Sequence, residues 1–193
     1  MGIKDKSLEE VLKSVASKNP TPGGGSVSAV AGAFAASLVE MVCNLTIGKE
    51  KYIENESEVK KIKKLVNTLT SELLVLSDED ANAYDGVVKA FKTNKTNKNR
   101  KIIIQNAFKK ATLIPLETGK KSGEVLTFAE RMLEIGNKNA SSDSLVASYL
   151  SKAAIKGALE NVEINLESIT DEAFKKELKP SIILLSSKAR WKE

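Results

Sequence analysis

Asp80 is the residue whose position most invites chemistry. A stripe runs Ile62, Val66, Leu69, Leu73, Leu76, Asp80, Tyr84, Val87, Phe91, in steps of three and four that share one face of a helix. Asp78 and Glu79 fall off that face and Asp80 lies on it. A carboxyl group on an apolar face loses water, which penalises its charged form and raises its pKa. A carboxyl tuned upward in this way can both take and give a proton near neutrality. The same position also suits a buried Asp tied to a Lys, a Ser or a helix end for structure alone.

Two other groups of residues could act beside it. Pro22-Gly23-Gly24-Gly25-Ser26 leads into an apolar helix. Glycines let a ligand approach the backbone, and a helix N-terminus offers unpaired N–H groups with partial positive charge. No Gly-Lys-Ser/Thr follows and no strand precedes, so this is neither a Walker loop nor a dinucleotide fingerprint. A tight turn between packed helices explains the glycines equally. The third group is Asp143, Ala147, Leu150, Ala154, Gly157, Asn161, Asn165, again in steps of three and four. That face carries an Asp at its start and two Asn near its end. Asparagine supplies both a donor and an acceptor, which suits the edge of an amide-like heterocycle. Helix capping by Asp143 and inter-helix hydrogen bonds from the asparagines are the structural alternative.

Composition removes many other chemistries. The 193 residues contain no histidine and a single cysteine, Cys43. That excludes a Ser-His-Asp triad, a Cys-His pair, His-ligated metals and an internal disulfide framework. Cys43 sits in an apolar helix and reads as an inert core thiol. The charge sum of 30 Lys and Arg against 25 Asp and Glu is +5, which suits anionic partners or simple solubility. Aromatics are only 5%, and Arg100, Arg131 and Arg190 are the only arginines, so nucleic-acid binding is not expected.

The elements that must position these residues read as helices throughout. Ser7 and Glu10 form a capping box for a first helix running to about Lys18. Asn19 to Gly25 breaks the chain, and an apolar helix follows from Ser26 to about Gly48. That run holds Glu40 and several Ser, Asn and Thr, costly in lipid, so it reads as a buried helix and not a membrane span. A very long helix spans about Tyr52 to Phe91, and Lys92 to Lys101 is a basic linker. The next helix starts near Asn99, meets Pro115 and gives out near Gly119 to Gly123; another runs from Glu124 to Ile135. Ser141 and Ser142 cap a helix reaching about Glu167, and Asp171 to Trp191 is the last, with Pro180 a kink or break. The expectation is all-α: a single domain over residues 1–193, a bundle of six to eight helices with one long helix. The first residues carry no apolar leader, and a cytoplasmic protein is expected.

Taken in order, several segments resemble a known family. They are Pro20-Thr21-Pro22-Gly23-Gly24-Gly25-Ser26-Val27, Asn44 to Tyr52, Asp78-Glu79-Asp80-Ala81-Asn82-Ala83-Tyr84, Gly136-Asn137, Ser142-Asp143, and Gly157 to Leu166. From about Pro20 to Phe174 the chain is similar to the cyclodeaminase domain of formiminotransferase-cyclodeaminase and its stand-alone relatives, which include methenyltetrahydrofolate cyclohydrolases. The resemblance implies an all-α fold, a homodimer or higher assembly, a tetrahydrofolate substrate with one or more glutamates in its tail, and no metal. It implies that Asp80 is catalytic. Pro22, Gly23, Gly24, Gly25, Ser26, Tyr84, Asn137, Asp143, Asn161 and Asn165 are the implied substrate-binding positions. The reaction implied is closure of 5-formiminotetrahydrofolate to 5,10-methenyltetrahydrofolate with loss of ammonia. The alternatives are hydrolysis of the methenyl compound to 10-formyltetrahydrofolate, and a non-catalytic folate binder or scaffold. Two features depart from the family pattern: Phe91-Lys92-Thr93 replaces a Leu-Pro-Lys, and these 193 residues include no formiminotransferase segment.

Overall fold

The structure, a computed structural model, describes residues 2–190. Among these residues there are six α-helices and no strand: α1 (Leu8–Val15), α2 (Gly24–Thr46), α3 (Glu56–Phe91), α4 (Arg100–Ile135), α5 (Ser141–Glu167) and α6 (Glu172–Lys188). Short 3₁₀ turns occupy Ile3–Asp5, Glu50–Asn55 and Lys138–Ala140. The all-α bundle expected from the periodicity is what forms.

The centre is α2, which packs against α3, α4 and α5. Its small residues make this possible. Ala29, Ala33, Ala36, Val39 and Val42 are buried against Val66 and Leu73 of α3, Val125 and Ala129 of α4, and Ala147 of α5. At the α2–α5 crossing a methyl group on Gly157 would displace the Ser28 hydroxyl, which bonds the Gly24 carbonyl. By length and composition α2 could cross a membrane, yet 56% of its apolar window is buried inside the bundle. Buried Cys43 lies on α2, and loss of water pushes its thiol up to about 12. A second core joins Leu116 and Leu126 of α4, Ile155 and Val162 of α5, and Leu178 and Leu185 of α6.

Several boundaries differ from the sequence reading. The Ser7–Glu10 capping box forms, but α1 stops at Val15. The apolar helix starts at Gly24, two residues earlier than expected. Ser141 is the first residue of α5, whose cap position is Ala140; Asn137 caps the preceding turn instead. The largest correction is α4. The break expected between Pro115 and Gly123 is absent, and one 36-residue helix runs through it, matching the 36 residues of α3. Proline removes the N–H that would bond the carbonyl four residues back, here Ala111. That carbonyl is taken by the side chain of Asn165 on α5, at 2.8 Å. Gly119 and Gly123 form the shallow surface against which Leu185 of α6 rests. Pro180 likewise sits within an unbroken α6. Trp191, part of the expected last helix, lies outside the described residues.

Candidate active site

Asp80 meets the first turn of α2. The Ser26 hydroxyl donates to Asp80 Oδ2 at 2.8 Å. A Cβ on Gly25 would collide with the Asp80 carboxylate, so this glycine is what allows α3 to present its acid directly against the α2 backbone. Burial pushes the Asp80 carboxyl above its ordinary value, and hydrogen bonds from the hydroxyl and amide of Ser26 pull it part of the way back. Loss of water is the larger influence. The group therefore has the character expected of an acid–base catalyst: raised by dryness, and oriented by a donor.

Asp80 opens into a cavity of about 370 Å³. Pro20, Thr21 and the glycines Gly23, Gly24 and Gly25 form one wall; Ala83 and Tyr84 continue the Asp80 face of α3. Phe108 and Ala111 of α4 supply apolar surface, and Asn161, Ile164, Asn165 and Ser168 close the side formed by α5 and its end. The two asparagines have their amide nitrogens engaged, Asn161 Nδ2 with the Gly157 carbonyl and Asn165 Nδ2 with that of Ala111, each at 2.8 Å. Their oxygens remain acceptors. The wall thus offers a carboxyl group and two amide oxygens, matched to a ligand edge that carries N–H groups. Beside them, the glycine turn brings the start of α2 to the cavity, and a helix N-terminus carries N–H groups without helical partners.

Of the residues singled out in the sequence, Gly23, Gly24, Gly25, Asp80, Tyr84, Asn161 and Asn165 line this one cavity. Ser26 is fully buried behind it. Pro22, joined to Thr21 by a cis peptide bond, lines a neighbouring hollow with Asp78 and the Gly2–Lys6 segment, where the Ile3 amide donates to Asp78. Asn137 and Asp143 lie elsewhere. Asn137 ties down the C-terminal end of α2: its amide donates to Thr46 Oγ1 and its Nδ2 to the Leu45 carbonyl, both at 2.9 Å. Asp143 shares a face of α5 with Asn161, but eighteen residues of helix separate them, about 27 Å at 1.5 Å per residue.

Sequence reasoning did not place Pro20, Thr21, Ala83, Phe108, Ala111, Ile164 or Ser168 at the site. None carries a chemical signature, and Phe108 and Ala111 belong to a helix that held no candidate residue. The signal that could have found them is Pro115, since the carbonyl it frees must find a donor. Among the described residues, no three His, Cys, Asp or Glu side chains gather as a metal ion would require.

Over residues 7–182 the chain matches the family described as Formiminotransferase-cyclodeaminase. It is 38% identical over 177 residues to the methenyltetrahydrofolate cyclohydrolase of Methylorubrum extorquens, covering 90% of this chain and 85% of that protein. It is 28% identical over 190 residues to the formimidoyltransferase-cyclodeaminase of Rattus norvegicus, where the match covers 96% of this chain and only 35% of the relative. Among solved structures, a formiminotetrahydrofolate cyclodeaminase from Thermotoga maritima is similar with a TM-score of 0.90 at 34% identity, covering 97% of this chain and 91% of that one.

Proposed function

The chain belongs to the formiminotransferase-cyclodeaminase family, and on that premise we propose that it is a one-carbon folate enzyme that converts 5-formiminotetrahydrofolate to 5,10-methenyltetrahydrofolate and ammonia, with Asp80 as general acid and base. The observation that carries this reading is the half-buried Asp80 carboxyl, held by Ser26 and raised above its ordinary value, in the wall of a cavity large enough for a bicyclic ring.

The reaction fits the residues present. N10 of the substrate attacks the carbon of the protonated formimino group, forming the second C–N bond of the new ring. Asp80, ionised, removes the proton from N10. It then returns that proton to the amino group on the tetrahedral carbon, the C–N bond to that nitrogen breaks, and ammonia leaves. The positive charge ends on the methenyl bridge, beside a carboxylate that stabilises it. One carboxyl group performs both transfers, so the reading calls for no metal and no cofactor besides the folate substrate. Asn161 and Asn165 are proposed to accept hydrogen bonds from the pterin N–H edge, with Tyr84 and the Gly23–Gly25 turn flanking the ring. The net charge of +5 suits the glutamates of the folate tail.

The second reading is methenyltetrahydrofolate cyclohydrolase, favoured by the similarity that spans 85% of the Methylorubrum protein. There Asp80 takes a proton from water as it adds to the methenyl carbon and passes it to N5 as the C–N5 bond breaks; the remaining hydroxyl proton is lost to solvent as the formyl carbonyl forms on N10. Mixing the protein separately with 5-formimino- and 5,10-methenyltetrahydrofolate distinguishes the two. Appearance of the methenyl absorbance with ammonia release means cyclodeaminase; its accelerated disappearance means cyclohydrolase. Silence with both substrates, despite binding, leaves a folate binder or scaffold.

The whole chain is read as one cytoplasmic, cyclodeaminase-like domain that works as a homodimer. The support for pairing is α2, whose outward face exposes Val27, Phe34, Met41 and Leu45. Two such faces packed antiparallel about a two-fold axis would bring the Leu45 end, with Asn137 and Asp143 near it, toward the cavity of the partner subunit. That arrangement gives those two residues a route to the substrate that a single subunit lacks.

A further inference from the structure

We propose that Ser26 is a positioning residue for this reaction, not a substrate contact: it holds one oxygen of Asp80 and leaves the other to exchange protons with the substrate. The inference deepens the enzymatic reading and rests on it. Ser26 is 0% exposed, so a ligand in the cavity cannot reach it. Its hydroxyl instead donates to Asp80 Oδ2 at 2.8 Å. Ser26 is also the third residue of α2, and the first backbone hydrogen bond of that helix runs from Val27 to the Gly23 carbonyl. The Ser26 amide therefore has no acceptor within its own helix. The residue that should cap it, Gly23, has no side chain. The Asp80 carboxyl lies directly against this first turn, and the Ser26 hydroxyl is the donor that holds it.

No other charged side chain competes for this role. On α3, Asp78 is engaged by the Ile3 amide and Glu79 is exposed, while Tyr84 is the one other titratable group in the cavity wall. The walls from the glycine turn, α4 and α5 contribute none. Farther round α5, Glu160, Glu163 and Glu167 line an adjoining groove that shares Asn161 and Ile164 with the cavity, but none of the three lines the cavity itself.

Three variants test this. Ser26→Ala removes the hydroxyl. Ser26→Thr and Ser26→Val have nearly the same shape, so crowding falls on both alike and only the hydroxyl differs. Each is read by ¹³C NMR titration of the Asp80 carboxyl carbon and by the pH dependence of kcat and KM. In Ser26→Ala and Ser26→Val the Asp80 midpoint should rise, the acid limb of kcat should move to higher pH, and kcat should fall about tenfold or more with KM changed less than about twofold. Ser26→Thr should stay near the parent in all of these. An unchanged midpoint, a change in KM alone, or Thr and Val behaving alike overturns the proposal. A midpoint that rises in a protein that turns over neither folate upholds the grip of Ser26 on the acid and overturns the enzymatic reading instead.

Discussion

At position 25 the backbone has room for a hydrogen and nothing larger, because the Asp80 carboxylate occupies the place of a side chain. An alanine there would favour the helix by about 1 kcal/mol while displacing the acid. Gly25→Ala should therefore retain its fold by circular dichroism, with Tm not lowered by more than a few degrees, and lose activity at least about tenfold. Asp80→Asn should fold as well and lose at least about a hundredfold in kcat, the usual scale of acid–base catalysis. It should also change the pH dependence of stability. Ionising a dry carboxyl costs the folded state and not the unfolded one, so the folded-state pKa is the higher of the two. The folded protein then holds its proton longer, and the stability this group contributes is full below the unfolded value, about 3.9, and declines as pH rises through the folded one. Melting curves should show the Asn variant gaining on the parent between about pH 4 and pH 7. A constant difference across that range would mean that Asp80 is not dry.

At the scale of elements, the site depends on how α4 survives Pro115. The Ala111 carbonyl loses its helical donor to the proline and gains Asn165 Nδ2 from α5. The same contact fixes Asn165 beside the cavity with its oxygen free to accept. Asn165→Ala should cost about 1–3 kcal/mol by leaving a buried carbonyl unpaired, read as a lower urea midpoint. In a Pro115→Ala background the amide of residue 115 returns to that carbonyl, and the cost of Asn165→Ala should shrink. Equal costs in both backgrounds would mean that the contact does not couple the two helices.

At the scale of the whole molecule, the outward face of α2 leaves an apolar surface exposed. Phe34 is 52% exposed at its centre, flanked by Val27, Met41 and Leu45, with no charged residue among them. Phe34→Glu costs little in a lone subunit but would bury a charge in a pair. Sedimentation should show the parent at twice the subunit mass and the variant at the subunit mass, with helix content unchanged. A parent that sediments as a single subunit would remove the homodimer and, with it, the route proposed for Asn137 and Asp143.

The chain order of residues, through helical period alone, determined the all-α character, the stripe that carries Asp80, and the opening that the triple glycine makes. Those features are local: side chains three and four apart share a face whatever surrounds them. Period could also group Asp143 with Asn161 and Asn165 on one face, but a face has length, and only packing decides which end of it meets a cavity. Likewise Pro115 and Gly119 read as a break, because proline's missing hydrogen bond is a local loss; the helix continues because a side chain 54 residues away replaces the donor. Whether Asp80 is dry, which residue grips it and which amides keep a free oxygen beside it depend on contacts between α2, α3, α4 and α5. Desolvation and hydrogen bonding are set by neighbours in space, and only tertiary structure supplies them.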